Sequence, residues 1–146
     1  MIALATMEDL ERNTGKAEAF FDARIGRSRF DADHFKRMWG TLFERGLGVV
    51  IKRERGGEIQ EAIGAVIYPD PHTGVSTAGI TFWYLAEKPS GIVAGIAMMR
   101  LMIELKSRGI SSVYLSASVN ADVAKVAKFI QGIGFKPTEL YFRMEI

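Results

Sequence analysis

Pro89-Ser90-Gly91-Ile92-Val93-Ala94-Gly95-Ile96-Ala97 is the stretch on which the reading of this chain turns. Before it comes Ile80-Thr81-Phe82-Trp83-Tyr84-Leu85, β-branched or aromatic throughout, which reads as a buried strand. After it, Ala97 to Arg108 reads as a helix that stops at Gly109. A strand, a Gly-containing turn and a helix N-terminus in succession aim several backbone N–H groups and the positive end of a helix dipole at one point. Such a point suits an anion, best of all a phosphate or diphosphate.

Working outward, the 146 residues predict one domain, 1–146, large enough for a substantial core. Apolar residues make up 48% and charged residues 25%, so the chain belongs with ordinary globular domains. The net charge is +2, and the only basic cluster, Lys52-Arg53-Glu54-Arg55, reads as a solvated hairpin end rather than a nucleic-acid surface. Without Cys there is no disulfide, thiolate metal site or Cys nucleophile. The longest apolar run, about residues 91–105, contains Arg100 and Glu104 and is too short to span a membrane. Glu8, Asp9 and Glu11 come too early for a signal peptide, so a cytoplasmic location is expected.

In chain order, Met1–Ala5 is a short strand, and Thr6 followed by Asp9 opens a helix that runs to about residue 24, softened near Asn13 to Gly15. Asp31 or Asp33 caps a second helix, Phe35 to Arg45, ended by Gly46. Strands follow over 47–51 and 61–68, joined by a hairpin turn within 53–60 around Gly56-Gly57, and a third over 75–86. The quoted turn and the 97–108 helix come next, then a strand over 110–119 and a helix to about Gln131 capped by Asn120 or Asp122. A terminal strand is expected over 140–146. The order β-α-α-β-β-β-α-β-α-β predicts an α/β domain with a mixed central sheet, antiparallel in the middle and parallel across the 80–119 crossover.

Pro89, Gly95 and Ala97 fit the pattern Pro-x-x-(Arg/Gln)-x-x-Gly-x-(Gly/Ala), with Ile92 where Arg or Gln is usual. This resembles the acyl-CoA diphosphate loop of the GNAT N-acetyltransferase superfamily. The resemblance runs over nearly the whole chain: Ile2 to Asp9 is similar to the family's opening strand and Ala-Thr-x-x-Asp helix start, and Ile133-Gly134-Phe135-Lys136 to its Gly-Phe turn. It implies a GNAT-like fold with helices on both faces of the sheet, and acetyl-CoA or another acyl-CoA as cofactor. The diphosphate would then lie on the N–H groups of Ile92, Val93, Ala94, Gly95, Ile96 and Ala97. The pantetheine arm would pair with the backbone from Trp83 to Glu87, with Leu85 N–H polarising the thioester, and Asn120 would be a further contact. The acceptor, a small-molecule or protein amine, would approach from the face bordered by the first two helices and the 69–74 loop.

Acyl transfer to an amine needs a base, a polarised carbonyl and a proton for the departing thiolate. Glu87, at the end of the strand, is the candidate base, against a plain reading as a solvent-facing acid. Many family members place an acidic Tyr four residues before the Gly-Phe turn; here that residue is Ile130. Tyr84 is the candidate acid instead, with Tyr114 and Tyr141 as other donors, although all three also read as strand residues with the ring in the core. His34 and His72 are isolated and predict no metal site, and Ser116 and Ser118 have no neighbouring His.

Two functions remain open. One is an acyl-CoA-dependent N-acyltransferase passing acetyl to an amine. The other is a catalytically inactive GNAT-fold structural or binding protein, suggested by Ile92 and Ile130. Similar small proteins occur in bacteriophage genomes, so that alternative includes a virion or assembly component, and homo-oligomerisation is compatible with either.

Overall fold

The structure, a computed structural model, describes residues 1–24, 29–86, 91–116, 123–144 and 146. It forms two compact units, Met1–Ser116 and Ala117–Ile146, which are taken separately.

The first unit is built on a five-stranded sheet with strands in sequential order: β1 (Ile2–Leu4), β2 (Gly48–Arg55), β3 (Glu58–Pro69), β4 (Ser76–Leu85) and β5 (Val113–Leu115). β1 to β4 pair antiparallel, and β4 pairs parallel with β5, as the connection lengths require. The β2–β3 turn is only Gly56-Gly57, both at positive φ (61° and 79°), the geometry that a two-residue turn between twisted strands demands. The hairpin is therefore tighter than the span 53–60 expected for it, and both strands are longer.

Helices cover both faces. α1 (Met7–Arg12), α2 (Thr14–Arg24) and α3 (Ala32–Glu44) lie on one, where Leu10 and Trp39 pack with Val50, Ile59 and Ala62 of the sheet. α1 opens with a capping box: Thr6 Oγ1 accepts from Asp9 N–H at 3.3 Å, and Asp9 Oδ2 accepts from Thr6 N–H at 2.8 Å. The same Asp9, only 3% exposed, bonds Lys52 Nζ of β2 at 2.8 Å and Arg12 at 2.7 Å, so one carboxylate caps the helix and ties it to the sheet. Burial alone would raise its pKa, but the hydrogen bonds from Lys52, Thr6 and Arg12 outweigh burial and hold it well below the usual carboxylate range. The helix break near residue 13 is where the sequence places it. The helix expected from 35 starts at 32, because Asp31 caps it by accepting His34 N–H at 2.8 Å.

α4 (Gly91–Ser107) covers the other face, against β2 and β3. It starts six residues before the expected 97. The cause is its buried stripe, Ala94, Ala97, Met98, Leu101 and Leu105, whose helical spacing begins inside the supposed loop and pulls those residues into the first turns. Two β-bulges adjust the sheet, one opposite Arg53/Glu54 and one that leaves Thr81 without an opposite residue on β3. At the second, Gly64 lies under the Phe82 ring; a Cβ there would be 2.2 Å from Phe82 Cε1. β5 covers three residues instead of the ten expected over 110–119, and 117–119 lie outside the described residues. Leu101 and Leu105 are buried, whereas Phe82, Val113, Leu115 and Phe129, which their apolar character also marks for the core, are half-buried.

The second unit contains α5 (Val123–Ile133), closed by Phe135 N–H to Ile130 O at 3.3 Å. The strand expected over 140–146 is not formed among the described residues; Leu140, Tyr141, Phe142 and Met144 are exposed. Strand conformation depends on a ladder partner, which apolar composition does not by itself supply.

Candidate active site

The site is built on the end of β4. Among the described residues β4 and β5 pair over Ala78↔Val113, Gly79↔Tyr114 and Ile80↔Leu115, and β4 runs on for five residues beyond Ile80, to Leu85. Which way its peptide groups point can be read from two bonds. Ala78 N–H donates to Ser112 O at 3.1 Å, toward β5, and Ala86 N–H donates to Gln60 O at 2.9 Å, toward β3. Counting by twos back from Ala86 turns Tyr84 and Phe82 toward β3, and Trp83 and Leu85 toward the opposite edge of β4. Leu85 therefore aims its N–H away from β3, along the edge of β4 on which β5 pairs further back.

α4 begins at this same end of the sheet. Because it starts at Gly91, the N–H groups of Gly95, Ile96 and Ala97 lie inside the helix and go to carbonyls four residues back. The first turn is thus at Gly91 and Ile92, and the later residues of the 92–97 span belong to the body of the helix. No acid occupies that turn. Ile92 is 78% exposed, and a Cβ on Gly95 would meet nothing within 4 Å, so the approach to the helix start is open on that side. These features fit an anionic diphosphate in charge and access.

The other sequence-predicted residues are placed as follows. Glu87, Asn120, Pro89 and Ser90 lie outside the described residues. Tyr84 is half-buried on the α1–α3 face, its ring edge-on to Phe20 of α2 at 6.2 Å and 84°. Burial, then the negative charge of Glu58, pushes its pKa up, so its hydroxyl keeps its proton across the neutral range. Tyr114 is exposed on β5, Tyr141 bonds Glu139 at 2.8 Å in the second unit, and Ile130 is half-buried on α5. His34 is exposed at the start of α3, and His72 in the turn between β3 and β4. An open hollow of about 530 Å³, lined by Met102, Leu105, Ile110 and Val113, lies at the C-terminal end of α4, away from this site.

Sequence reasoning missed Glu61. It is wholly buried in the middle of the sheet, accepting from Trp83 Nε1 at 2.9 Å and Arg53 Nε at 3.2 Å. Burial raises its pKa, opposed by the Trp83 and Arg53 hydrogen bonds. Strand alternation puts all three side chains on the α4 face, beneath the end of β4 that carries Leu85. The turn by itself did not hold the signal: a two-residue Gly56-Gly57 turn would pair Arg53 with Gln60, and it is the bulge at Gln60 that makes Arg53 and Glu61 cross-strand partners.

No family model matches this chain, and no curated protein matches it in sequence. Solved structures do. A predicted acetyltransferase with acetyl-CoA from Clostridium acetobutylicum is 20% identical over 99% of this chain and 95% of its own, with a TM-score of 0.76. A ribosomal-protein-alanine N-acetyltransferase from Brucella melitensis biovar Abortus 2308 is 16% identical over 99% of each chain, at 0.70. An aminoglycoside acetyltransferase from an uncultured soil metagenomic sample, in complex with sisomicin, is 13% identical over 100% of this chain and 95% of its own, at 0.74. At such identities the likeness concerns the fold: this chain has the GNAT acyl-CoA N-acyltransferase fold, divergent in sequence, as the resemblance implied.

Proposed function

We propose that this protein is an acyl-CoA-dependent N-acyltransferase, moving acetyl from acetyl-CoA to an amine, with residues 1–146 acting as one GNAT-like domain. The observation that carries the reading is Leu85, whose N–H points away from β3 at the end of β4 that leads to α4. The cofactor, when bound, supplies the activated acyl group as a thioester. The first turn of α4 then holds the diphosphate, with Gly95 leaving room for it, and Leu85 N–H donates to the thioester oxygen where charge develops. Val93, Ala94, Ile96 and Ala97 support that turn rather than donate in full, and Asn120 is kept as a further contact. Glu87 takes the proton from the attacking amine, and Tyr84, held protonated, is the reserve donor.

Among the described residues no helix is long and apolar enough to cross a membrane. The neighbours do not support the inactive, virion-associated alternative, which rests on Ile92, Ile130, the lack of a strong acid–base constellation in the sequence and the likeness to small bacteriophage proteins.

Calorimetric titration with acetyl-CoA tests the proposal. Micromolar affinity, about −8 kcal/mol, is expected. Gly95→Glu adds bulk and negative charge at an open surface position and should abolish binding, with an unchanged circular dichroism spectrum. No binding by the parent protein at millimolar acetyl-CoA sinks the reading; equal affinity in the two proteins puts the cofactor elsewhere.

A further inference from the structure

The acceptor side of β4 has a chemistry of its own. Phe82 and Tyr84 project onto the α1–α3 face, away from α4. Phe82 stands edge-on to Trp39 at 5.4 Å and 73°, and 6.4 Å from Phe35, which in turn lies 5.5 Å from Phe30. Phe20 and Tyr84 make a second edge-on pair. Trp39 is fully buried, but the remaining rings are half-buried, so the cluster starts in the core and comes to the surface beside Leu85. Gly64 keeps this face flat, since any side chain there would displace the Phe82 ring. The charges at this end largely neutralise each other: Lys16 Nζ bonds Ile59 O at 3.2 Å and sits 3.9 Å from Glu58.

Resting on the acyltransferase reading above, we infer that the acceptor is a small primary amine carried on an aromatic ring. The ring packs against Tyr84 and Phe20, and the amine reaches across the end of β4 to the carbonyl held at Leu85. Nitrogen forms its bond to the acyl carbon as the carbon–sulfur bond breaks, and the proton lost from nitrogen ends on the CoA thiol.

The test compares 2-phenylethylamine with spermidine on the full chain. Thiol release with acetyl-CoA gives kcat and KM, and ligand-observed NMR gives amine binding without turnover. The expected result is a kcat/KM at least about tenfold higher for 2-phenylethylamine, and its binding seen directly. Phe20→Ala should raise the KM for 2-phenylethylamine about tenfold, leaving kcat and the KM for acetyl-CoA unchanged. Phe20→Leu, which keeps most of the volume, controls for folding and should raise the same KM by a smaller factor. Preference for spermidine, or a Phe20→Leu effect equal for both amines, overturns the inference while acetyl-CoA binding stands. Failure of acetyl-CoA to bind overturns the parent reading and this one with it.

Discussion

Two buried carboxylates respond to pH in opposite senses. Asp9 is held below its ordinary pKa, so its contribution to stability is present above the usual aspartate range and is lost as pH falls through it. Glu61 is raised by burial, so the folded state binds its proton more tightly than the unfolded chain does. Its contribution is present below the ordinary glutamate pKa and lost as pH rises through the folded value. Urea titrations across pH should show Asp9→Asn flattening the acid limb, and Glu61→Gln gaining on the parent as pH rises above the glutamate range. A Glu61→Gln difference that does not change with pH would mean that the carboxylate is not desolvated as the structure has it. Glu61 could not be found from its own neighbours in sequence. Arg53 is eight positions away and Trp83 twenty-two, and only the sheet brings the three together.

At the level of the element, α4 is decisive. Its sheet-facing stripe is wholly apolar, and Leu101 sits at its centre with no exposure. Leu101→Ala should cost about 2–5 kcal/mol, read from the urea midpoint at constant m-value. A loss under about half a kcal/mol would show that the helix packs by another face. The existence of this helix, the capping box at Thr6 and the Gly-Gly hairpin were legible because each is signalled by adjacent residues. The start of α4 was not. Gly91 and Gly95 read as turn residues, and only burial of Ala94 against the sheet shows that the helix absorbs them. The terminal strand was misread for the converse reason. Leu140-Tyr141-Phe142 has strand-like composition, but composition does not supply a partner.

For the whole molecule, cofactor binding and stability are linked. A ligand at about one hundred times its Kd stabilises the native state by about 2.7 kcal/mol. Acetyl-CoA should therefore raise the melting temperature of the parent protein by several degrees and leave that of Gly95→Glu unmoved. Equal shifts in the two would detach the site from α4.

The α/β class, the mixed sheet and the likeness to GNAT proteins follow from the sequence, because periodicity, caps and turn residues are local properties and their order along the chain constrains the connections. The candidate site was legible as a place, at the junction of β4 and α4. Its geometry was not: the direction of the Leu85 N–H depends on pairing between distant strands, and the early start of α4 on its burial against the sheet. The same holds for the burial of Glu61 and the surfacing of the aromatic cluster at Tyr84, since whether a side chain is core or surface is settled by what the rest of the chain lays over it.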